Sequence, residues 1–448
     1  MLSWYEVERS DNLYGEIRVQ GSKNAVLPIL AASLLAKDTS YITGCPDIVD
    51  VHNILGILKM LGCKVNVYKA ASGLEIEIDS SCIKSCDVSE KEFGKMRASI
   101  IFLGALLGAT GYAKIGYPGG CVIGNRPIDM HIKALKELGA ELTEKDAYIE
   151  GKVLRFKGKD IYLEKKSVGT TENVLMAAVT AEGITRIHNC SREPEIVELC
   201  RFLRKSGACI SGDGTNVIKV CGTEKLHGCQ YTVGGDRIVA ATYMTAVCIC
   251  GGKVKLNNIR YNYCKSTIEL LKKSGMDIRR TVNGLCVEMD RRYPEAIGYF
   301  STGPYPEVPT DIQPLIMSAM CFSKNITLIK ENIFENRFRH VSELVKMGAD
   351  ITVSNDKCAV VNGRGMLIGN RVNGKDLRGT AALILAGLGA YGRTRVNGSC
   401  FIERGYEDIV SDLNEIGGRI KLNYDEENKM DSDIVCAVDC NSSCVGST

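Results

Sequence analysis

The sequence predicts an α/β fold made of six copies of one helix–strand unit, grouped as three and three. Three observations carry that prediction. First, a short pattern recurs: LKMLGCKV (58–65), LKELGAEL (135–142), LRKSGACI (203–210), LKKSGMDI (271–278), LVKMGADI (344–351) and LNEIGGRI (413–420). Each reads as the end of an amphipathic helix, closed by a glycine and running into a strand. The closing glycines, Gly62, Gly139, Gly207, Gly275, Gly348 and Gly417, fall 68 to 77 residues apart, so the repeat is real and its length nearly constant. Second, another kind of helix precedes each copy. Third, β-rich stretches such as GLEIEID (73–79) lie between the two helices.

The second helix type begins at Lys23 (KNAVLPILAASLLA), Arg97 (RASIIFLGALLGA), Thr171 (TENVLMAAVTAEG), Asp236 (DRIVAATYMTAVCICGG), Thr310 (TDIQPLIMSAM) and Arg378 (RGTAALILAGLGA). Beyond the first turn these segments carry almost no charge on any side. A helix that is apolar all round is an interior helix. Each unit therefore supplies one buried helix and one amphipathic outer helix.

Polar residues gather where the buried helices start: Lys23 and Asn24, Arg97, Glu172, Asp236 and Arg237, Asp311, and Arg378. For Asp236, Thr310 and Asp311, helix capping is a sufficient reading. Lys23, Arg97 and Arg378 oppose the helix dipole and cost a few tenths of a kcal/mol up to ~1 kcal/mol each, so they call for a compensating role. Parallel buried helices bring their N-termini to one face. Free N–H groups and cationic side chains there make an anion site, and two groups of three place two such faces across a cleft. The expected ligands carry phosphate or carboxylate.

Composition narrows the class further. Lys plus Arg number 56 and Asp plus Glu 53, a net charge of +3, which argues against broad nucleic-acid binding. The opening MLSWYEVERSDN has no apolar signal core, and runs such as IVAATYMTAVCIC (238–250) are too short to span a bilayer, so no membrane contact and a cytoplasmic location are expected. No C-x-x-C occurs among the 20 cysteines, and most read as small buried apolar residues. Cys436, Cys440 and Cys444 lie in a polar segment that reads as a disordered tail rather than a metal site. Neither a Walker motif nor a dinucleotide fingerprint is present.

One cysteine stands apart. In YPGGCVIGNRP (117–127), Cys121 sits between a glycine pair and the Arg126–Pro127 step. Taken alone it is most simply an incidental thiol in a cysteine-rich chain. The alternative is a mobile loop that brings a reactive thiol to an anionic substrate.

The chain resembles the enolpyruvyl transferase family, in its UDP-N-acetylglucosamine 1-carboxyvinyltransferase branch. The resemblance spans about residues 1–424 and rests on GSKNAVLPI (21–29), MRASIIFLG (96–104), GGCVIGNRPIDMH (119–131), KSVGTTEN (166–173), REPEIVEL (192–199), YPEVPTDIQP (305–314), ENRFRHVSEL (335–344), DLRGTAALILAG (376–387) and ERGYEDI (403–409). It implies a two-domain inside-out α/β barrel of six βαβαββ units around a central cleft. Domain one is placed at 22–235, domain two at 1–21 plus 236–424, and a tail at 425–448. The implied reaction transfers the enolpyruvyl group of phosphoenolpyruvate to the 3′-hydroxyl of UDP-N-acetylglucosamine, releases phosphate, and uses no metal or organic cofactor.

Carried over by motif, Cys121 matches the proton-donating thiol of the lid, and Asp311 the carboxylate at the sugar hydroxyl. Lys23, Arg126 and Arg404 match the clamp on phosphoenolpyruvate, with Arg378 in a matching D-L-R. Arg97, Arg126, Pro127, Ile128, Asp129, Met130, Lys166, Ser167, Val168, Gly169, Asp311 and Ile333 match positions that bind the nucleotide sugar, and Asn24 belongs with Lys23 as a substrate-binding position. His131 reads equally well as a packed histidine or as part of the site. Ser22, Phe401 and Glu403 depart from the family pattern, and the last two flank Arg404, where they could alter how its guanidinium is held. Three other readings stand beside the main one: transfer to shikimate 3-phosphate, a non-catalytic binder of UDP-sugars, and a cysteine hydrolase. The last lacks an oriented Cys–His–Asn set.

Overall fold

The computed structural model describes residues 3–119, 123–124, 126–290 and 293–424. Cys121 and the tail 425–448, with Cys436, Cys440 and Cys444, lie outside the described residues. The repeat read from the sequence appears as six four-stranded sheets, each holding one parallel and two antiparallel pairings. In the unit at 87–152, Asp87–Val88 runs parallel to Tyr112–Gly116. Tyr112–Gly116 then pairs antiparallel with Tyr148–Lys152, which pairs antiparallel with Glu141–Glu144. An inner helix makes the parallel crossover, and an outer helix leads into the final hairpin. Among the described residues no sheet closes on itself by hydrogen bonds; the sheets surround the helices instead.

The inner helices are Lys23–Ala32, Phe102–Thr110, Val168–Ala178, Arg237–Cys250, Gln313–Met320 and Leu377–Gly389. They are buried over nearly their whole length, as their all-apolar composition demands. Two starts differ from expectation by three residues: the helix expected from Thr310 begins at Gln313, and another begins early. The helix expected from Thr171 begins at Val168, because Ser167 caps it by accepting from the Thr170 N–H. The segment from Arg97 enters its helix through a 3-10 turn, Arg97–Ile101.

Apolar side chains fall into two cores. One is drawn from residues between Ala25 and Val233, the other from Tyr5–Val19 together with Ile238–Ile420. One sheet of the first group and two of the second are completed by distant segments. Gln230–Thr232 lies parallel to Thr39–Cys45. Leu13–Arg18 lies parallel to Gly252–Asn257. Ser3–Glu8 inserts between Arg393–Asn397 and Arg419–Tyr424.

The chain therefore passes between the two groups twice, side by side. Gly21 and Gly235 form an antiparallel bridge there. A Cβ on Gly21 would sit 1.9 Å from the Gly44 carbonyl oxygen, and one on Gly235 would sit 1.8 Å from that of Asn258. Only glycine fits at either place.

Of the 16 described cysteines, seven are buried, and Cys82, Cys209 and Cys400 are exposed, so fewer are core residues than composition alone suggests. No described helix is long and apolar enough to cross a membrane.

Val7 is fully buried in the strand inserted between Arg393–Asn397 and Arg419–Tyr424. Val7→Asp places an unpaired charge in that core and is expected to lower the melting temperature by roughly 5–10 °C or more. Scanning calorimetry measures it; an unchanged transition would show that this strand contributes nothing to the second core.

Candidate active site

The crossing point sets the geometry of the cleft. Asp236 caps its own helix through Oδ1, which accepts from the N–H groups of Ile238 (2.7 Å) and Val239 (3.2 Å). Its Oδ2 accepts from the backbone N–H of Lys23 (3.0 Å). One carboxylate thus ties together the N-termini of two inner helices, one from each core. The capping read for Asp236 from sequence holds, and the second bond extends it.

Beside this clasp, Asp50 gathers two of the expected cations. The Lys23 Nζ lies 2.6 Å from Asp50 Oδ2. The Arg404 guanidinium reaches across from the second core and donates to both Asp50 oxygens, at 3.0 and 3.3 Å. Burial alone would raise the Asp50 carboxyl pKa, but Lys23 and Arg404 hold it below the usual carboxylate range. Burial lowers the Lys23 pKa, an effect that Asp50 partly offsets. The Arg404 guanidinium is thus fixed by Asp50. Of the departures noted beside it, Glu403 is exposed and contributes its backbone carbonyl to the Val49 N–H, and Phe401 contributes its carbonyl to the Arg404 N–H.

Asp311 forms the second cluster. Its Oδ1 accepts from the Arg337 guanidinium at 3.1 Å, and its Oδ2 lies 3.5 Å from Arg378 Nε. Arg337 is itself buried and donates to the Thr310 carbonyl and to Asp376 Oδ1. Capping, the reading made for Thr310 and Asp311, is not what they do. The helix Gln313–Met320 has no side-chain cap. The Thr310 hydroxyl donates to Glu331, and the Asp311 carboxylate turns to the arginines. Charge attraction to two buried guanidinium groups outweighs a cap worth ~1 kcal/mol. Burial pushes the Asp311 pKa up, but Arg378, Arg337, Arg126 and Arg237 together pull it down to about 2. Arg378 also donates to the Tyr406 hydroxyl at 3.4 Å. Its helix is capped by Asp376, which accepts from the N–H groups of Arg378 and Gly379.

The first core faces these groups with a loop and a helix start. Asn336 donates its N–H to the Ile123 carbonyl (2.9 Å), and the Arg126 guanidinium lies 4.3 Å from the Phe334 ring centre. Arg126 Nε is buried without a hydrogen-bond partner. Ile333 follows the same turn, its N–H bound by Glu331. Arg97 lies near His131, whose ring is buried and accepts from the Asn173 amide at 2.8 Å. Burial, with Arg97 nearby, lowers the His131 pKa to about 4, so the ring is neutral and packed. A Cβ on Gly169 would lie 3.1 Å from that ring, which accounts for the glycine in KSVG. Lys166, Ser167 and Val168 precede it at the helix start, and Asn24 follows Lys23 at another.

The structure does not bring every expected residue to one place. Pro127 and Asp129 are exposed, and Asp129 opens the helix Asp129–Glu137 with Met130 and the buried Ile128 beside it. Asp129 lines an outward cavity of about 540 Å³ with Lys133 and Lys136. Conversely, sequence reasoning did not select Asp50, Arg337, Asp376 or Tyr406. Arg337, Asp376 and Tyr406 stand within quoted motifs, whereas Asp50 lies in PDIVDVHN, where nothing marks it. Glu195, paired with Arg237 at 2.9 Å, joins the two cores at the seam.

The profile of the family described as EPSP synthase (3-phosphoshikimate 1-carboxyvinyltransferase) matches residues 7–413. A protein of Caldanaerobacter subterraneus subsp. tengcongensis named UDP-N-acetylglucosamine 1-carboxyvinyltransferase 2 is 41% identical over 416 residues, covering 93% of this chain and 98% of that relative. A Nitratidesulfovibrio vulgaris protein named UDP-N-acetylglucosamine 1-carboxyvinyltransferase is 43% identical over 420 residues, with the same coverage. Among solved structures, the enolpyruvyl transferase NikO from Streptomyces tendae superposes with a TM-score of 0.83 at 22% identity, covering 94% of this chain and 99% of that one. EPSP synthase from Acinetobacter baumannii gives 0.75 at 20% identity, covering 94% and 100%. These two likenesses establish the fold.

Glu172 is buried near Glu195 and Glu193. Burial first, then those two carboxylates, raise its pKa to about 8. The folded chain therefore holds a proton that the unfolded chain releases above the ordinary glutamate value. This lowers stability as pH rises from about 4.5 to 8. Glu172→Gln is expected to match the parent near pH 4.5 and to exceed it by on the order of 2–4 kcal/mol at pH 8. Urea unfolding at both pH values tests this; a pH-independent difference would refute it.

Proposed function

This chain belongs to the EPSP synthase (3-phosphoshikimate 1-carboxyvinyltransferase) family of enolpyruvyl transferases, and from that premise we propose that it carries out the first committed step of peptidoglycan synthesis. It transfers the enolpyruvyl group of phosphoenolpyruvate to the 3′-hydroxyl of UDP-N-acetylglucosamine and releases phosphate. The observation that carries this reading is the cluster of guanidinium groups around Asp311, supported by the names of relatives that match almost end to end. The acceptor shikimate 3-phosphate appears in the family's description, but the relatives at 41% and 43% identity are named for the nucleotide sugar. A cytoplasmic location is part of the same proposal. The division into 22–235 and 1–21 plus 236–424 is supported by the two separate cores.

The proposed chemistry is addition of the sugar oxygen to C2 of phosphoenolpyruvate, with a proton delivered to C3, followed by loss of phosphate and of a C3 proton. Lys23, Arg126, Arg404 and Arg378 position the phosphate and carboxylate and stabilise charge as it develops. Asp50 holds Lys23 and Arg404 in place before the anion arrives. Cys121 supplies the C3 proton, since a thiol near its usual pKa of ~8.5 is mostly protonated at neutral pH.

Asp311 accepts the hydroxyl proton. With a pKa near 2 it is a weak base in the empty cleft. Its acidity comes from Arg378, Arg337, Arg126 and Arg237. Anionic substrates that pair with Arg378 and Arg126 cancel part of that field and raise the carboxylate's basicity. Base strength therefore develops when both substrates are bound.

Phosphate release from phosphoenolpyruvate, measured with UDP-N-acetylglucosamine and shikimate 3-phosphate side by side, tests the assignment. Release with the nucleotide sugar alone is expected. Release with shikimate 3-phosphate would overturn the acceptor, and release with neither would leave a binding protein. Asp311→Asn and Cys121→Ser are each expected to cut kcat by roughly 10²–10⁴ while the chain stays folded. Near-parent turnover in either would remove that residue's proton-transfer role. Mass spectrometry should find a covalent adduct of the epoxide fosfomycin on Cys121, and an adduct on another cysteine would contradict its assignment.

A further inference from the structure

The sheet at 160–221 carries two thiols on its outer face. Its strand order places Cys209–Ser211 at the edge, beside Val217–Cys221. In the antiparallel register, Cys209 stands directly opposite Cys221. Directly opposed residues point to the same face, with Cα atoms ~4.5–5.5 Å apart. A disulfide spans Cα separations of ~4.4–6.8 Å. Ile210, Ile218 and Val220 turn into the core, whereas Cys209 is exposed and Cys221 half-buried. Among the described residues no other two cysteines are strand partners.

The surroundings set the pH range of exchange. The Cys221 thiol opposite raises the Cys209 pKa, so exchange quickens as pH rises. On the next rung of the same face lie Ser211 and Lys219, with Arg186 opposite Lys219 on the neighbouring strand. Arg186 is paired with Asp160. The Lys219 ammonium acts to lower the Cys209 pKa and gives the patch a cation for an anionic partner.

We propose that Cys209 and Cys221 form a reversible cross-strand disulfide, with a small anionic disulfide of the glutathione class as oxidant. A thiolate of the pair attacks one sulfur of that disulfide and expels a small thiolate, leaving a mixed disulfide on the protein. The second thiolate, one strand across, attacks the protein sulfur and expels the other small thiolate. The protein loses two protons and two electrons in total, and one small disulfide becomes two small thiols. The bond staples the edge strand to its neighbour. Being exposed, it is of the kind that reduces readily.

The full chain is incubated with oxidised glutathione, checked for fold by circular dichroism, and digested without reduction for mass spectrometry. The expected result is a linked pair of peptides containing Cys209 and Cys221 in most molecules, restored to free thiols by dithiothreitol. In Cys209→Ser the link is absent and the fold unchanged, because the position is exposed. Recovery of Cys209 and Cys221 on separate peptides from the folded parent, whether free or each carrying glutathione, would overturn the proposal. A link that forms only after denaturation would do the same.

Discussion

The cleft depends on a carboxylate at a place where the chain has no room for side chains. Gly21 and Gly235 let two backbone segments run side by side between the cores. Asp236, one residue beyond that bridge, bonds to helix starts on both sides. Because the inner helices are rigid and buried, fixing their first turns fixes what projects from them: Lys23 from one core, Arg237 from the other. The position of the anion site thus follows from a backbone close approach and one aspartate, rather than from any contact with ligand.

Around that anchor, most cations of the cleft are held by carboxylates in a definite pattern. Lys23 and Arg404 share Asp50, Arg337 joins Asp311 to Asp376, and Arg237 takes Glu195. Two of these pairs, Arg404 with Asp50 and Arg237 with Glu195, join residues from different cores. Buried pairs of this kind contribute little net stability, because desolvation offsets the attraction. What they supply here is placement: guanidinium groups arrive pre-oriented, and Asp311 is kept ionised until anions alter the balance of charge. Arg126 differs, since its Nε is buried beside Phe334 without a hydrogen-bond partner.

The repeat, the interior helices and the role of their starts were legible because they rest on local pattern. Helix-closing glycines and uncharged segments report burial without knowledge of the partner. Most of the failures share one cause, a partner distant in sequence. Thr310 and Asp311 precede a helix as capping residues do, and sequence cannot distinguish a cap from a carboxylate drawn to an arginine 26 residues away. Asp50 meets Arg404 across 354 residues, and no local feature announces that pairing. The Val168 start was missed because Ser167 lay inside a motif read for binding. The facing of Cys209 and Cys221 depends on strand register, which spacing alone leaves open.

The inserted N-terminal strand also imposes an order in time. Trp4 pairs with Asn397, so this strand is made some hundreds of residues before its partner. At ~5–20 residues per second, synthesis leaves that apolar strand waiting for tens of seconds. The intervening core from Ala25 to Val233 draws only on its own segment and can close in the meantime. The second core is thus a long-loop closure whose two ends are the two ends of the fold. Its assembly rate is set by how well the nascent strand is kept from other edges until then.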